Sequence, residues 1–194
     1  MPTGRRVEFF DGVRHPLGWV GCALSYKFLA TQALRNHKDH LLVYEDDVEP
    51  LRLDSHTLTS IEAYLNQIEG EWDVFCGLIT NLAESAVISR HQQSDGLSFV
   101  HLDKMTGTVF NIYARGALQL LSQWSYQGAG ISLTIDRYLE AKNNLRVVTV
   151  HPFVAGHKDE LSSTLWGFRN SSYGEWITTS QRRLGEKLDK YLGA

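Results

Sequence analysis

The chain has 194 residues and a mass of 22.0 kDa, is 43% apolar and 21% charged, and carries a formal charge of -3 at pH 7. A chain of this length buries roughly 70% of the surface its unfolded form exposes, which excludes disorder and a small stapled scaffold and predicts one domain over residues 1–194. With 19 Lys and Arg against 22 Asp and Glu, no bulk positive field draws nucleic acid or anionic lipid, so no nucleic-acid partner is expected.

Both cysteines, Cys22 and Cys76, lie in apolar runs and read as buried free thiols of a reducing compartment, which predicts a cytoplasmic protein. Glu8, Asp11 and Arg14 interrupt what would have to be the apolar part of a signal peptide after Arg5 and Arg6. The longest uncharged stretch, Gly116–Ile135, holds Gln119, Ser122, Gln123, Ser125 and Gln127, and is too polar to enter a bilayer. No transmembrane segment is expected.

Val7–Phe10 reads as a short strand ending at the Asp11-Gly12 turn signal. Leu17–Asn36 reads as a helix opened by Pro16, with Val20, Leu24 and Phe28 at four-residue spacing. His40–Tyr44 is a continuous apolar strand that stops at Glu45-Asp46-Asp47, and Asp54 or Ser55 then caps a helix bearing Leu58, Ile61, Leu65 and Ile68. Trp72–Ile79 and Leu97–Leu102 read as strands, with Asn81–Asp95 between them as polar loop. Gly107–Tyr113 is a strand feeding a helix over Arg115–Trp124. After the Gly128-Ala129-Gly130 break come a helix around Leu133–Lys142 and the strand Leu145–Val150, which ends at His151-Pro152. An amphipathic helix at about 175–192, with Trp176, Ile177, Leu184, Leu188 and Tyr191 on one face, closes the chain and is expected to dock on the core. Apolar strands alternating with helices predict an α/β sandwich on a mostly parallel sheet.

The sharpest chemical signal is Leu41-Leu42-Val43-Tyr44-Glu45-Asp46-Asp47. Ligands of open α/β sheets bind at the carboxyl ends of strands, where this run delivers three consecutive carboxylates. The triplet reads either as a solvated loop ending a strand or as the seat of a positive partner, since adjacent carboxylates repel. For the second, Mg²⁺ or Mn²⁺ suits hard oxygen donors and completes its shell with water and substrate phosphate.

Gly21-Cys22-Ala23-Leu24-Ser25, followed after a helix by Val43-Tyr44-Glu45-Asp46-Asp47-Val48, resembles glycosyltransferase family 25, the bacterial lipooligosaccharide galactosyltransferases and procollagen galactosyltransferases. Val109-Phe110-Asn111-Ile112-Tyr113-Ala114-Arg115-Gly116-Ala117 is similar to the family's strand-then-helix segment, Ile131–Leu139 to the segment presenting a lone aspartate, here Asp136, and Phe9-Phe10-Asp11-Gly12-Val13 to its second strand. The likeness runs from about Val7 to Ser163.

The resemblance implies a GT-A-like, Rossmann-like α/β/α sandwich and a role in lipopolysaccharide or related glycan synthesis. It implies transfer of galactose from a UDP-sugar to a glycan or other hydroxyl acceptor, with inversion at the anomeric carbon. It implies a Mn²⁺ or Mg²⁺ ion held by Asp47, Glu45 and His157, with Glu45 or Asp46 also contacting the ion through water or reaching the ribose. Ser25 and Gly107 join Glu45 and Asp46 as nucleotide-site residues, and Asp136 is the base that takes the acceptor proton. Asp136 reads equally as an acid at a helix N-terminus, favoured by the helix dipole.

Two departures accompany the likeness. The family's first strand and helix precede the Val7 segment and carry an Arg-rich stretch beside the base, whereas six residues stand here before Val7. An incomplete donor site is therefore expected, with Arg5-Arg6 either a remnant of that stretch or an exposed end, and with an open sheet edge that a second copy covers. Tyr26 stands where the family's motif usually continues with His. Among eight histidines, His151 and His157 flank Pro152-Phe153-Val154-Ala155-Gly156 just beyond the last strand, where GT-A enzymes often place a third metal ligand. Lys158, Ser162, Ser163 and Trp166 compose either a loop closing over donor phosphates or a polar surface loop. Asn170-Ser171-Ser172 reads as an accidental match to a glycosylation acceptor. The competing function is a non-catalytic relative that binds a glycan or protein partner. A metal-dependent hydrolase or phosphotransferase ranks behind both, for want of a second carboxylate cluster or a phosphate-cradling glycine loop.

Overall fold

A computed structural model describes residues 7–158, 160 and 171–193, and of 171–172 the backbone only. Helix α1 (Gly18–Arg35) leads into β1 (His40–Tyr44), β2 (Val48–Pro50), α2 (Ser55–Gln67) and β3 (Val74–Cys76). The hairpin β4 (Ile88–Ser94) and β5 (Leu97–Leu102) follows, then β6 (Phe110–Ala114), α3 (Arg115–Gln123), α4 (Ile135–Glu140), β7 (Val147–Val150), β8 (Ala155–His157) and α5 (Ser171–Leu192). Six strands form one sheet in the order β1-β6-β3-β7-β5-β4, and β2 pairs with β8 in a separate antiparallel ribbon.

The α/β class stands, but the sheet is mixed rather than mostly parallel. Among the described residues only β3 and β7 pair in parallel, while β1–β6, β3–β6, β5–β7 and β4–β5 are antiparallel. The reason lies in the connections. A parallel neighbour needs a crossover of roughly a dozen residues or more, whereas β4 turns straight into β5 through Asp95-Gly96, both at positive φ. No helix separates β5 from β6. The largely apolar strands VFC, FNIYA and VVTV report burial on both faces, which is blind to direction: each of their residues is buried.

The strand expected at Val7–Phe10 is absent, since residues 7–15 carry no regular structure and Phe9 is 96% exposed. Apolar-aromatic character alone does not make a strand without a partner to satisfy its backbone. The polar stretch read as loop contains β4, because an edge strand facing water tolerates the sequence ISRHQQS. Trp72–Ile79 shrinks to Val74–Cys76, although the flanking residues are largely buried. Helix α1 buries Val20, Ala23, Tyr26, Ala30 and Ala33, leaving Phe28 at 46% exposure stacked on Phe10. Helix α2 follows its predicted pattern, with Asp54 Oδ1 accepting from the Thr57 N–H at 2.7 Å and Ile61, Leu65 and Ile68 buried. In α5 the core stripe is narrower than predicted: Ile177, Leu184 and Leu188 are buried, but Trp176 and Tyr191 face outward. No helix among the described residues is long and apolar enough to cross a membrane.

Gly77, just past β3, joins the elements that carry the site. Its N–H donates to the Phe110 carbonyl, and its own carbonyl accepts from Val154 and Ala155. A Cβ there would meet the buried Phe110 ring at 2.5 Å. Gly77→Ala is expected to cost about 1–3 kcal/mol by overpacking, read as a lower urea midpoint at an unchanged slope. A wild-type midpoint would show that the ring moves aside freely.

Candidate functional site

Strands β1, β3 and β7 run in one direction and β6 runs against them. The carboxyl ends of β1 and β3 and the amino end of β6 therefore meet at one edge of the sheet, the expected place for a ligand. An open cleft of ≈ 2610 Å³ lies there, lined among others by Glu45, Asp47, Gly107, Asp136, His157 and Trp176.

The acidic triplet turns the chain from β1 into β2, with the Glu45 N–H on the Val109 carbonyl at 2.9 Å and the Val48 N–H on the Glu45 carbonyl at 3.2 Å. The β2–β8 ribbon sets Val48 opposite His157, which closes 110 residues of sequence onto one spot. Lys158 tightens it: its N–H donates to the Asp47 carbonyl at 2.8 Å and its Nζ to the Asp46 carbonyl at 3.0 Å. The result is a close pair, His157 Nε2 to Asp47 Oδ2 at 2.9 Å, with side chains only 6% and 20% exposed. Asp47 Oδ1 and His157 Nδ1 are buried with no hydrogen-bond partner among the described residues.

His157 Nε2 and Asp47 Oδ2, an ion pair at 2.9 Å, lie close enough to serve as neighbouring donors to one Mg²⁺ or Mn²⁺ ion. Asp47 Oδ1, on the same carboxylate, adds unspent donor capacity. The pair therefore fits such an ion. Among the described residues no three His, Cys, Asp or Glu side chains gather into one ligand group, and these ions commonly complete their shell with water and substrate phosphate.

Glu45 is engaged elsewhere. Its Oε1 faces the Tyr26 hydroxyl at 2.9 Å, and that hydroxyl also stands 3.0 Å from the Thr108 carbonyl, so one proton serves two acceptors. Burial raises the Glu45 carboxyl above the usual range and the Asp47 charge adds to it, against hydrogen bonding with Thr108 and Tyr26 and the nearby His157. Burial, then the Glu45 charge, pushes Tyr26 well up, which keeps it a donor. Tyr26 is thus what fixes the first acid of the triplet. The next neighbour is Cys22, whose thiol is raised by burial and by the charges of Glu45, Asp136 and Asp47. Both effects favour the thiol over the thiolate.

Asp136 sits in the first turn of α4 and lines the same cleft. Its Oδ2 accepts from the Gly107 N–H at 3.1 Å and its Oδ1 from the Arg137 N–H at 2.9 Å. Gly107 has φ +109, and a Cβ there would fall 2.4 Å from Thr80 Oγ1, so glycine is required where the chain presents its amide to Asp136. Ser25 spends its hydroxyl on the backbone, accepting from the Val13 N–H at 2.7 Å and donating to the Gly21 carbonyl at 2.9 Å, and so holds the N-terminal segment on α1. Asp46 is exposed at the tip of the turn. His151 lies away from the cleft lining, its ring near Gly185 of α5 and its pKa lowered by burial. Arg5, Arg6, Asp159, Ser162, Ser163, Trp166 and Asn170 lie outside the described residues.

No protein-family model matches the chain, and no curated protein does.

The sequence reading missed the aromatic wall that continues from His157. Tyr173 tilts onto the His157 ring at 5.0 Å, and Trp176 meets Tyr173 edge-on at 5.3 Å. The i, i+3 spacing of Tyr173 and Trp176 near the start of α5 was the available signal. The amphipathic pattern places Trp176 on the core stripe, whereas the structure leaves it lining the cleft.

Proposed function

We propose that the chain is a metal-dependent inverting glycosyltransferase of the family 25 kind, GT-A-like in fold, moving galactose from a UDP-sugar to a hydroxyl acceptor. The observation that carries the reading is the buried Asp47–His157 pair at the carboxyl end of β1, with Asp47 Oδ1 left without a hydrogen-bond partner among the described residues. The order β1-β6-β3-β7, with one reversed strand between parallel-running ones, supports the GT-A-like part.

In this reading Asp47 and His157 hold the cation and Tyr26 keeps Glu45 directed at the cleft, where Glu45 and Asp46 face the ribose. When bound, the cation neutralises the charge developing on the departing diphosphate. Asp136, held by the Gly107 and Arg137 amides, takes the proton of the acceptor hydroxyl. The acceptor oxygen then bonds to the anomeric carbon as the bond to the diphosphate oxygen breaks on the opposite face. Residence in the cytoplasm and a part in lipopolysaccharide assembly belong to the same proposal.

Titration calorimetry with UDP separates this from the rival, a glycan- or protein-binding relative without chemistry. UDP binding that requires Mn²⁺ is the expected result. Absence of any UDP binding, with and without Mn²⁺, would overturn the donor site and favour the rival.

A further inference from the structure

We infer that Trp176, braced by Tyr173, is a stacking platform for a neutral pyranose ring beside the Asp47–His157 pair. Trp176 lines the cleft and keeps 46% of its surface exposed, while Ile177 next to it is buried in the core. Its plane is fixed by the perpendicular contact with Tyr173, which itself leans on His157, so three rings run in sequence from the pair outward. A ring held this way offers a flat apolar surface with only two torsions to immobilise.

The surroundings select the ligand. Glu45, Asp46 and Asp47 line the same cleft and accept hydrogen bonds but donate none when ionised. They repel an uncompensated anion and suit hydroxyl donors. A pyranose meets both demands, with a C–H face for the indole and a rim of hydroxyls for the acceptors. A nucleobase also stacks on aromatic rings, but its ring carbonyls call for N–H donors, which the Glu45, Asp46 and Asp47 side chains do not supply when ionised.

The sugar's role in transfer rests on the proposed function, but binding can be read apart from it. Saturation-transfer NMR on the whole chain, without nucleotide or metal, would probe methyl β-galactoside, methyl β-glucoside and methyl α-mannoside. At least one should bind, with affinity falling about tenfold or more in Trp176→Ala and recovering in part in Trp176→Phe, the scale of one lost stacking contact. Affinity for UDP with Mn²⁺ should stay within about twofold of wild type, since a single stacking partner is removed away from the phosphates. A parallel comparison of UDP-galactose with UDP tells which sugar is held: a Trp176-dependent gain assigns the ring to the donor, and no gain assigns it to the acceptor. No glycoside binding by the wild type, or equal binding by Trp176→Ala and wild type, overturns the platform. Weakened UDP binding in Trp176→Ala overturns it too, in favour of a base. Trp176-dependent glycoside binding in a protein that ignores UDP upholds the platform and sinks the transferase reading instead.

Discussion

Asp47→Asn is expected to lose at least about tenfold in Mn²⁺-dependent UDP affinity while the fold survives, since disturbing even the outer shell of a metal site costs about 10- to 100-fold. Asparagine keeps the shape and leaves an amide oxygen for the His157 Nε2–H, which Asp47 Oδ2 accepts at 2.9 Å. What it removes is the charge. Asp47→Ala differs instructively, because it strands a buried imidazole whose Nδ1 already has no partner among the described residues. An unsatisfied buried group costs about 1–3 kcal/mol, so the alanine variant should also melt lower. Calorimetry and thermal melts on both variants give the answer. Unchanged Mn²⁺ and UDP affinity in Asp47→Asn would remove Asp47 from the site.

Much of this arrangement was legible in the residues. A run of four apolar residues, Leu41–Tyr44, ending in three acids marked β1 and the turn after it, because apolar run and abrupt charge are local signals. The α2 cap was legible as Asp54 or Ser55, of which the structure uses Asp54, and the boundaries of β5 were plain. Strand direction was not, since VFC and VVTV look the same whichever neighbour they pair with, and only the connections decide. Strands β2 and β8 hold three residues each, too few for any periodicity, yet their pairing brings His157 to Asp47. The Asp95-Gly96 turn was the overlooked cue for the β4–β5 hairpin. Tyr26 is the instructive case. It departs from the motif that the chain resembles, yet its hydroxyl supplies the hydrogen bond that positions Glu45.

Asp136→Asn is expected to keep donor affinity and to lose transfer rate by about 10²- to 10⁴-fold, the range for removing a general base. Both Asp136 oxygens accept backbone N–H groups, from Gly107 at 3.1 Å and from Arg137 at 2.9 Å. An asparagine can accept from only one of them and turns its NH₂ toward the other, so one hydrogen bond is lost. That loss costs about 1 kcal/mol of stability and should appear as a small fall in melting temperature. The two effects are separable by size. A purely structural aspartate at the start of α4 would show the fall in melting temperature with nearly normal turnover, whereas a base shows a rate loss far beyond what so small a destabilisation can produce. The measurement is initial rate with UDP-galactose and a glycoside acceptor, paired with UDP calorimetry and a melt on the same sample. A full transfer rate in Asp136→Asn would move the base elsewhere, to exposed Glu160 or to Asp159.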